Sequence, residues 1–130
     1  MSYELSYKNE PDYLHIQATG IRNVENFIAI SLDLLTMANK HGYSKILLDM
    51  RGTTGGLGTF DAYELGTKDL TKLWRTIGQP KVSIIDLEAN RKRFEFMETV
   101  AVNQGVNLRM LTDVGEAMEW LGVSKTPVTE

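Results

Sequence analysis

Tyr3, Leu5 and Tyr7 alternate with Glu4 and Ser6, and after the polar stretch Asn9-Glu10-Pro11-Asp12 the alternation resumes with Leu14, Ile16 and Ala18 against His15 and Gln17. Two period-two runs joined by a turn-forming tetrapeptide predict a β-hairpin. Beyond Gly20 the period changes. Val24, Phe27, Ile28, Ser31, Leu34, Leu35 and Ala38 fall at helical spacing, with Asn23 placed as an N-cap and Gly42 past the end, so a helix is predicted over 23–41. Lys45-Ile46-Leu47-Leu48-Asp49-Met50 is then a short continuous apolar run, the pattern of a central strand covered on both faces.

A glycine-rich loop, residues 51–58, leads to a second helix. Asp61 and Glu64 have capping-box spacing there, and Phe60 can staple onto Leu65. Its buried side is expected to carry Tyr63, Leu70, Leu73, Trp74 and Ile77, with Gly78 and Pro80 ending it. Val82, Ile84 and Ile85 make the next strand, which stops at Asp86. Asn90 is expected to cap a third helix with Phe94, Met97 and Ala101 inward and Gly105 at its end. Residues 107–111 read as an edge strand because Arg109 interrupts it. Asp113 and Glu116 open a short fourth helix with Ala117, Trp120 and Leu121 inward. Residues 1–123 therefore form one domain, and 124–130 read as a flexible C-terminal tail. The order is β-β-α-β-α-β-α-β-α. It predicts an α/β fold with a single mixed, mostly parallel sheet of about five strands and helices packed on it.

Composition narrows the chemistry. With 130 residues, 42% hydrophobic and 24% charged, the chain suits one core that needs neither disulfides nor a structural metal. It has no Cys, which removes thiolate catalysis and cysteine-based zinc sites. A net charge of -3 argues against a nucleic-acid partner, since that affinity comes mainly from cations set against phosphates. The first residues lack a basic region followed by an apolar run, and no apolar run approaches membrane-spanning length, so no transmembrane segment and a cytoplasmic location are expected.

The same element order, with Lys-Ile-Leu-Leu-Asp-Met-Arg-Gly in the central strand and loop, resembles the STAS fold of sulfate-transporter domains and anti-sigma-factor antagonists. More narrowly, 58–66 (Gly-Thr-Phe-Asp-Ala-Tyr-Glu-Leu-Gly), 96–101 (Phe-Met-Glu-Thr-Val-Ala), 111–113 (Leu-Thr-Asp) and 119–121 (Glu-Trp-Leu) are similar to the SpoIIAA-like bacterial family, over nearly the whole chain. Phospho-switching STAS proteins open the second helix with Asp-Ser-Ser/Thr-Gly. Here the matching stretch is Gly56-Leu57-Gly58-Thr59-Phe60-Asp61, without a serine. The resemblance thus implies the fold but not the phosphoswitch, and it supplies little about function.

The carboxyl ends of parallel strands are where ligands usually sit. That edge gathers Asp49, Arg51, Gly52, Thr53, Gly55, Gly56, Thr59, Asp86, Arg91 and Arg93, which are the candidate ligand-binding residues. The cluster Arg91-Lys92-Arg93 stands at a helix start, where positive charge opposes the dipole, so a carboxylate or phosphate bound there would offset the conflict. The bland alternative is a solvated face in which Glu88, Glu95 and Glu98 screen the cations. Asp49, Asp86 and Asp113 each follow a strand, and together they allow an alternative reading as a Mg²⁺-dependent phosphoryl-transfer enzyme; turn and cap roles are the commoner use of such aspartates. His15 is expected at the solvent side of the hairpin and His41 at a helix end, and no imidazole–carboxylate pair stands out, so no catalytic residue, cofactor or metal is assigned. In the first helix Ile30, Leu32 and Met37 lie outside the main apolar stripe, which suggests a homodimer interface. That surplus also fits a cleft for a small lipid or acyl ligand, as in a Sec14-like carrier. The leading expectation is a non-catalytic binding or regulatory protein acting on a protein partner or a small anionic or amphipathic ligand.

Overall fold

Alternation in the first twenty residues produces the hairpin it predicts: β1 (Tyr3–Asn9) runs antiparallel to β2 (Leu14–Ile21), with Leu5 opposite Ala18 and Tyr7 opposite Ile16. A computed structural model describes residues 3–55 and 58–123. Gly56, the 124–130 tail and the side chains of Thr59, Phe60 and Ala62 lie outside the described residues. The first helix, α1 (Val24–His41), starts where Asn23 accepts the Asn26 N–H at 2.8 Å and stops at Gly42, whose φ of 76° is the left-handed conformation a side chain would oppose.

β3 (Lys45–Thr54), β4 (Lys81–Ile85) and β5 (Leu108–Leu111) follow β2 in parallel, so the sheet order β1-β2-β3-β4-β5 repeats the chain order. Right-handed crossovers that always step the same way leave their helices on one face. That face carries Leu14 and Ile16 of β2, Ile46, Leu48 and Met50 of β3, and Val82 and Ile84 of β4. Against it pack Phe27, Ile30, Leu34 and Leu35 of α1, Trp74 of α3 (Leu70–Thr76), and Phe94 and Met97 of α4 (Arg91–Asn103). The opposite parity, Leu47 and Ile85, meets a smaller cluster from α5 (Val114–Leu121), where Ala117 and Leu121 are fully buried and Trp120 packs at the margin. A single eight-residue helix covers this second face only over β3, β4 and β5.

Four sequence expectations are corrected. The second helix begins at Thr59, two residues before the predicted cap. It comprises α2 (Thr59–Glu64), a π-helical turn (Leu65–Asp69) and α3. Asp61 therefore sits inside the first turn, where its charge suits the dipole, instead of capping it. The wider π turn rotates the buried stripe: Leu65 is fully buried and Tyr63 points outward at 49% exposure. Asn90 does not cap α4; it ends a 3₁₀ turn (Glu88–Asn90) and donates its amide to Asp86 at 2.9 Å. β3 runs four residues past Met50. Gln17 pairs with Asp49 but Thr19 with Gly52, so β3 holds one extra residue, a bulge that carries the strand onward beside Thr19, Gly20 and Ile21.

Candidate functional site

At the carboxyl ends of β3 and β4 the chain buries an ion pair that sequence reasoning missed. Arg22, between β2 and α1, is 8% exposed and Asp86 is 1% exposed. Arg22 Nη1 donates to Asp86 Oδ2 at 2.7 Å and Nη2 to Oδ1 at 2.9 Å, a two-pronged contact that fixes both planes. Its Nε and Nη2 also donate to the Thr53 hydroxyl, and Nη2 reaches the Met50 carbonyl. Thr53 in turn donates to that same carbonyl at 2.7 Å, while Asp86 Oδ1 receives the Leu87 N–H and the Asn90 amide. Every acceptor of Asp86 is thereby engaged, and β2, β3, β4 and the start of α4 are tied together from one centre. The only sequence signal was an arginine directly after a strand and before an N-cap.

Asp49, expected at the end of its strand, stands within β3 on the α5 side. Arg51 folds back onto it, Nε to Oδ1 at 2.9 Å and Nη2 to Oδ2 at 2.7 Å, with the Arg51 N–H adding a third bond at 3.0 Å. Burial alone would push the Asp49 carboxyl up, but these bonds and the guanidinium charge together hold it below its ordinary value. The pair forms the floor of a solvent-open trough of about 590 Å³, walled by Glu4, Ser6, Gln17 and Thr19. A second hollow of about 350 Å³ continues along Lys8 and His15 and shares Ser6 and Gln17 with it. The trough exists because α5 leaves the β1–β2 end of the second face bare. Burial lowers the His15 imidazole from its ordinary value; Asp49 and Glu10 pull it up, while Lys8 and Arg51 add to the lowering.

The remaining candidates do not converge on this trough. Arg91 is turned onto Glu88, Nε to Oε2 at 2.6 Å and Nη2 to Oε1 at 2.8 Å, with Glu95 and Thr112 as further partners; its hydrogen bonds to these two carboxylates raise its pKa. Arg93 is exposed with no ion pair among the described residues, and no hydrogen bond joins Arg51 to Arg91 or Arg93. Among the described residues of the anion site expected from the 51–58 loop and α4, two of the three guanidiniums, Arg51 and Arg91, already hold carboxylates. Gly52 and Gly55 are explained by packing. A Cβ on Gly52 would stand 2.8 Å from Thr19 Cγ2, and one on Gly55, at φ 89°, would stand 3.2 Å from the Arg22 carbonyl.

Asp113 caps α5 through the Glu116 N–H at 2.9 Å. With Asp49 given to Arg51 and Asp86 to Arg22, the three aspartates do not share an ion, and no group of metal ligands forms among the described residues. Ile30, expected at a dimer interface, is 2% exposed within the chain's own core, and Met37 packs against that core; only Leu32 stays outside, at 43%. The surplus apolar residues of α1 are thus mostly covered by the fold itself. No described helix is long and apolar enough to cross a membrane.

No family model matches the chain, and no curated protein matches it. Among solved structures it is similar to an anti-sigma factor antagonist from Mycobacterium paratuberculosis, at 11% identity and a TM-score of 0.59, over 93% of this chain and 95% of that one. It is also similar to an uncharacterized protein of the DUF3478 family with a SpoIIAA-like fold from Shewanella loihica PV-4, at 21% identity and a TM-score of 0.50, over 92% and 93% of the two chains. Chain order, sheet order and these two likenesses together give the protein a SpoIIAA-like fold of the STAS type.

Proposed function

We propose that the protein is a non-catalytic regulatory module that works by docking a protein partner at the carboxyl edge of its sheet. The observation that carries this is the pairing of locked charge with exposed apolar surface. Ile21 and Leu87 are the chain neighbours of Arg22 and Asp86, and they stand 49% and 46% exposed beside that saturated ion pair. A reacting site keeps an acid, base or nucleophile free for substrate. Here the carboxylates of the edge are spent on holding it rigid, which suits a preformed contact surface. Exposed Lys92 and Arg93 at the start of α4 supply a charged rim. The anti-sigma factor antagonist with the same fold is, by its name, a protein that acts against another regulator. The hollows at Ser6, Gln17 and Asp49 are open to solvent, and the larger is floored by the Asp49–Arg51 ion pair, which disfavours an acyl carrier.

A photo-crosslinking residue placed at Ile21 or Leu87 in the producing cell tests the reading. A discrete protein adduct from both positions is expected, with none from Asn39, exposed at the far end of α1. Adducts absent at both edge positions, or equally abundant at Asn39, overturn it.

A further inference from the structure

The two edges of the sheet are unlike. β5 has four residues with Arg109 in the middle, a short and charged edge of the kind that resists pairing. β1 has seven residues, without proline or bulge, and pairs with β2 on one side only. α1 packs over β2 and β3 and reaches β1 at its first residue, where Asp33 accepts the Tyr3 hydroxyl at 2.9 Å, while the outer backbone edge of β1 pairs with no strand among the described residues. By strand alternation Glu4, Ser6 and Lys8 fall on the trough face opposite Thr19, Gln17 and His15, while Leu5 and Tyr7, opposite the core residues Ala18 and Ile16, fall on the helix face.

We propose that β1 pairs antiparallel with β1 of a second copy of this chain, about a two-fold axis through Ser6, joining two sheets into one and two troughs into a single groove. The argument is one of register. A two-fold perpendicular to the sheet keeps each face on its own side, so residues of like parity must meet. Centred on Ser6, Glu4 of one copy lies directly opposite Lys8 of the other, and the symmetry repeats the pair. On the helix face the same register sets Leu5 against Tyr7, which is 43% exposed in the single chain. Moving the axis to Leu5 places Glu4 opposite Ser6, and moving it to Tyr7 places Lys8 opposite Ser6 and Glu4 opposite Glu10. Only the axis at Ser6 joins opposite charges and covers the tyrosine together. The groove then gains a wall from each copy: the trough floored by Asp49 and Arg51, already bounded by Glu4, acquires the partner copy's lysine at its rim.

Charge reversal tests both the interface and its register, read as mass by light scattering and as dissociation constant by ultracentrifugation. The wild type is expected to reach twice 14.6 kDa. E4K alone and K8E alone each set like charges opposite each other, and each is expected to weaken the dimer roughly tenfold or more while the circular dichroism spectrum stays unchanged. An equimolar mixture of E4K and K8E is expected to restore a dimer, because every lysine then faces a glutamate. A wild type that stays monomeric at high concentration, a dimer indifferent to both reversals, or single variants that fail to recombine would each overturn the proposal.

Discussion

Arg22 and Asp86 meet away from water, and at that depth the cost of separating them exceeds the gain from pairing them. Replacing Arg22 with Met leaves a carboxylate whose side chain has 0% exposure beside an apolar stem, held only by the Leu87 N–H and the Asn90 amide. The expected loss is about 3 kcal/mol in urea unfolding, while the double change R22M/D86L is expected to recover part of it. His15 offers a separate handle. Burial lowers its pKa from 6.5, so as pH falls the unfolded chain takes up the proton before the folded one does. Stability is then full above 6.5 and declines as pH falls through 6.5 toward the folded value. H15Q is expected to flatten the unfolding midpoint across that window. Asp49 acts in the same direction further down: its folded pKa is depressed, so its contribution is present above the ordinary 3.8 and lost as pH falls below it.

The element most informative about sequence reading is β3. Its apolar core, Ile46 to Met50, is plain in the sequence, and so are α1 and α5, whose caps at Asn23 and Asp113 and glycine stops at Gly42 and Gly122 carry their usual signals. The extension to Thr54 is not plain, because it depends on a bulge and on Gly52 lying under Thr19, a contact between strands that no local pattern reports. G52A is expected to cost about 1–3 kcal/mol, since its Cβ would also approach the fixed Ala18 carbonyl at 3.1 Å. T19S removes the nearer methyl and is expected to recover only part of that loss in denaturant titrations. The π turn in the second helix escaped for a related reason: one residue too many in a turn is a tertiary accommodation, and periodicity read straight through Leu65 assigns Tyr63 to the wrong face. Arg22 shows the limit at the site itself. Sequence placed Asp86 and Thr53 at the right edge, but which cation they serve depends on three strand ends meeting.

At the scale of the whole molecule the apolar count of α1 deceived, because a helix in a three-layer fold is covered by sheet below and by α3 beside it. I30E is accordingly expected to unfold the protein, seen as loss of a cooperative thermal transition, in contrast to the folded monomer that an interface residue would give. Sheet order and chain order coincide from β1 to β5, and this bears on how the molecule is made. Each strand leaving the ribosome finds its neighbour already in place, and no strand must wait for a later one to be inserted beside it. After the hairpin each strand is joined to its sheet neighbour by a single crossover, so no connection has to close over another strand. The order thus allows growth from the hairpin one way across the sheet, with α5, the last of the described helices to be synthesised, closing the second face over strands made before it.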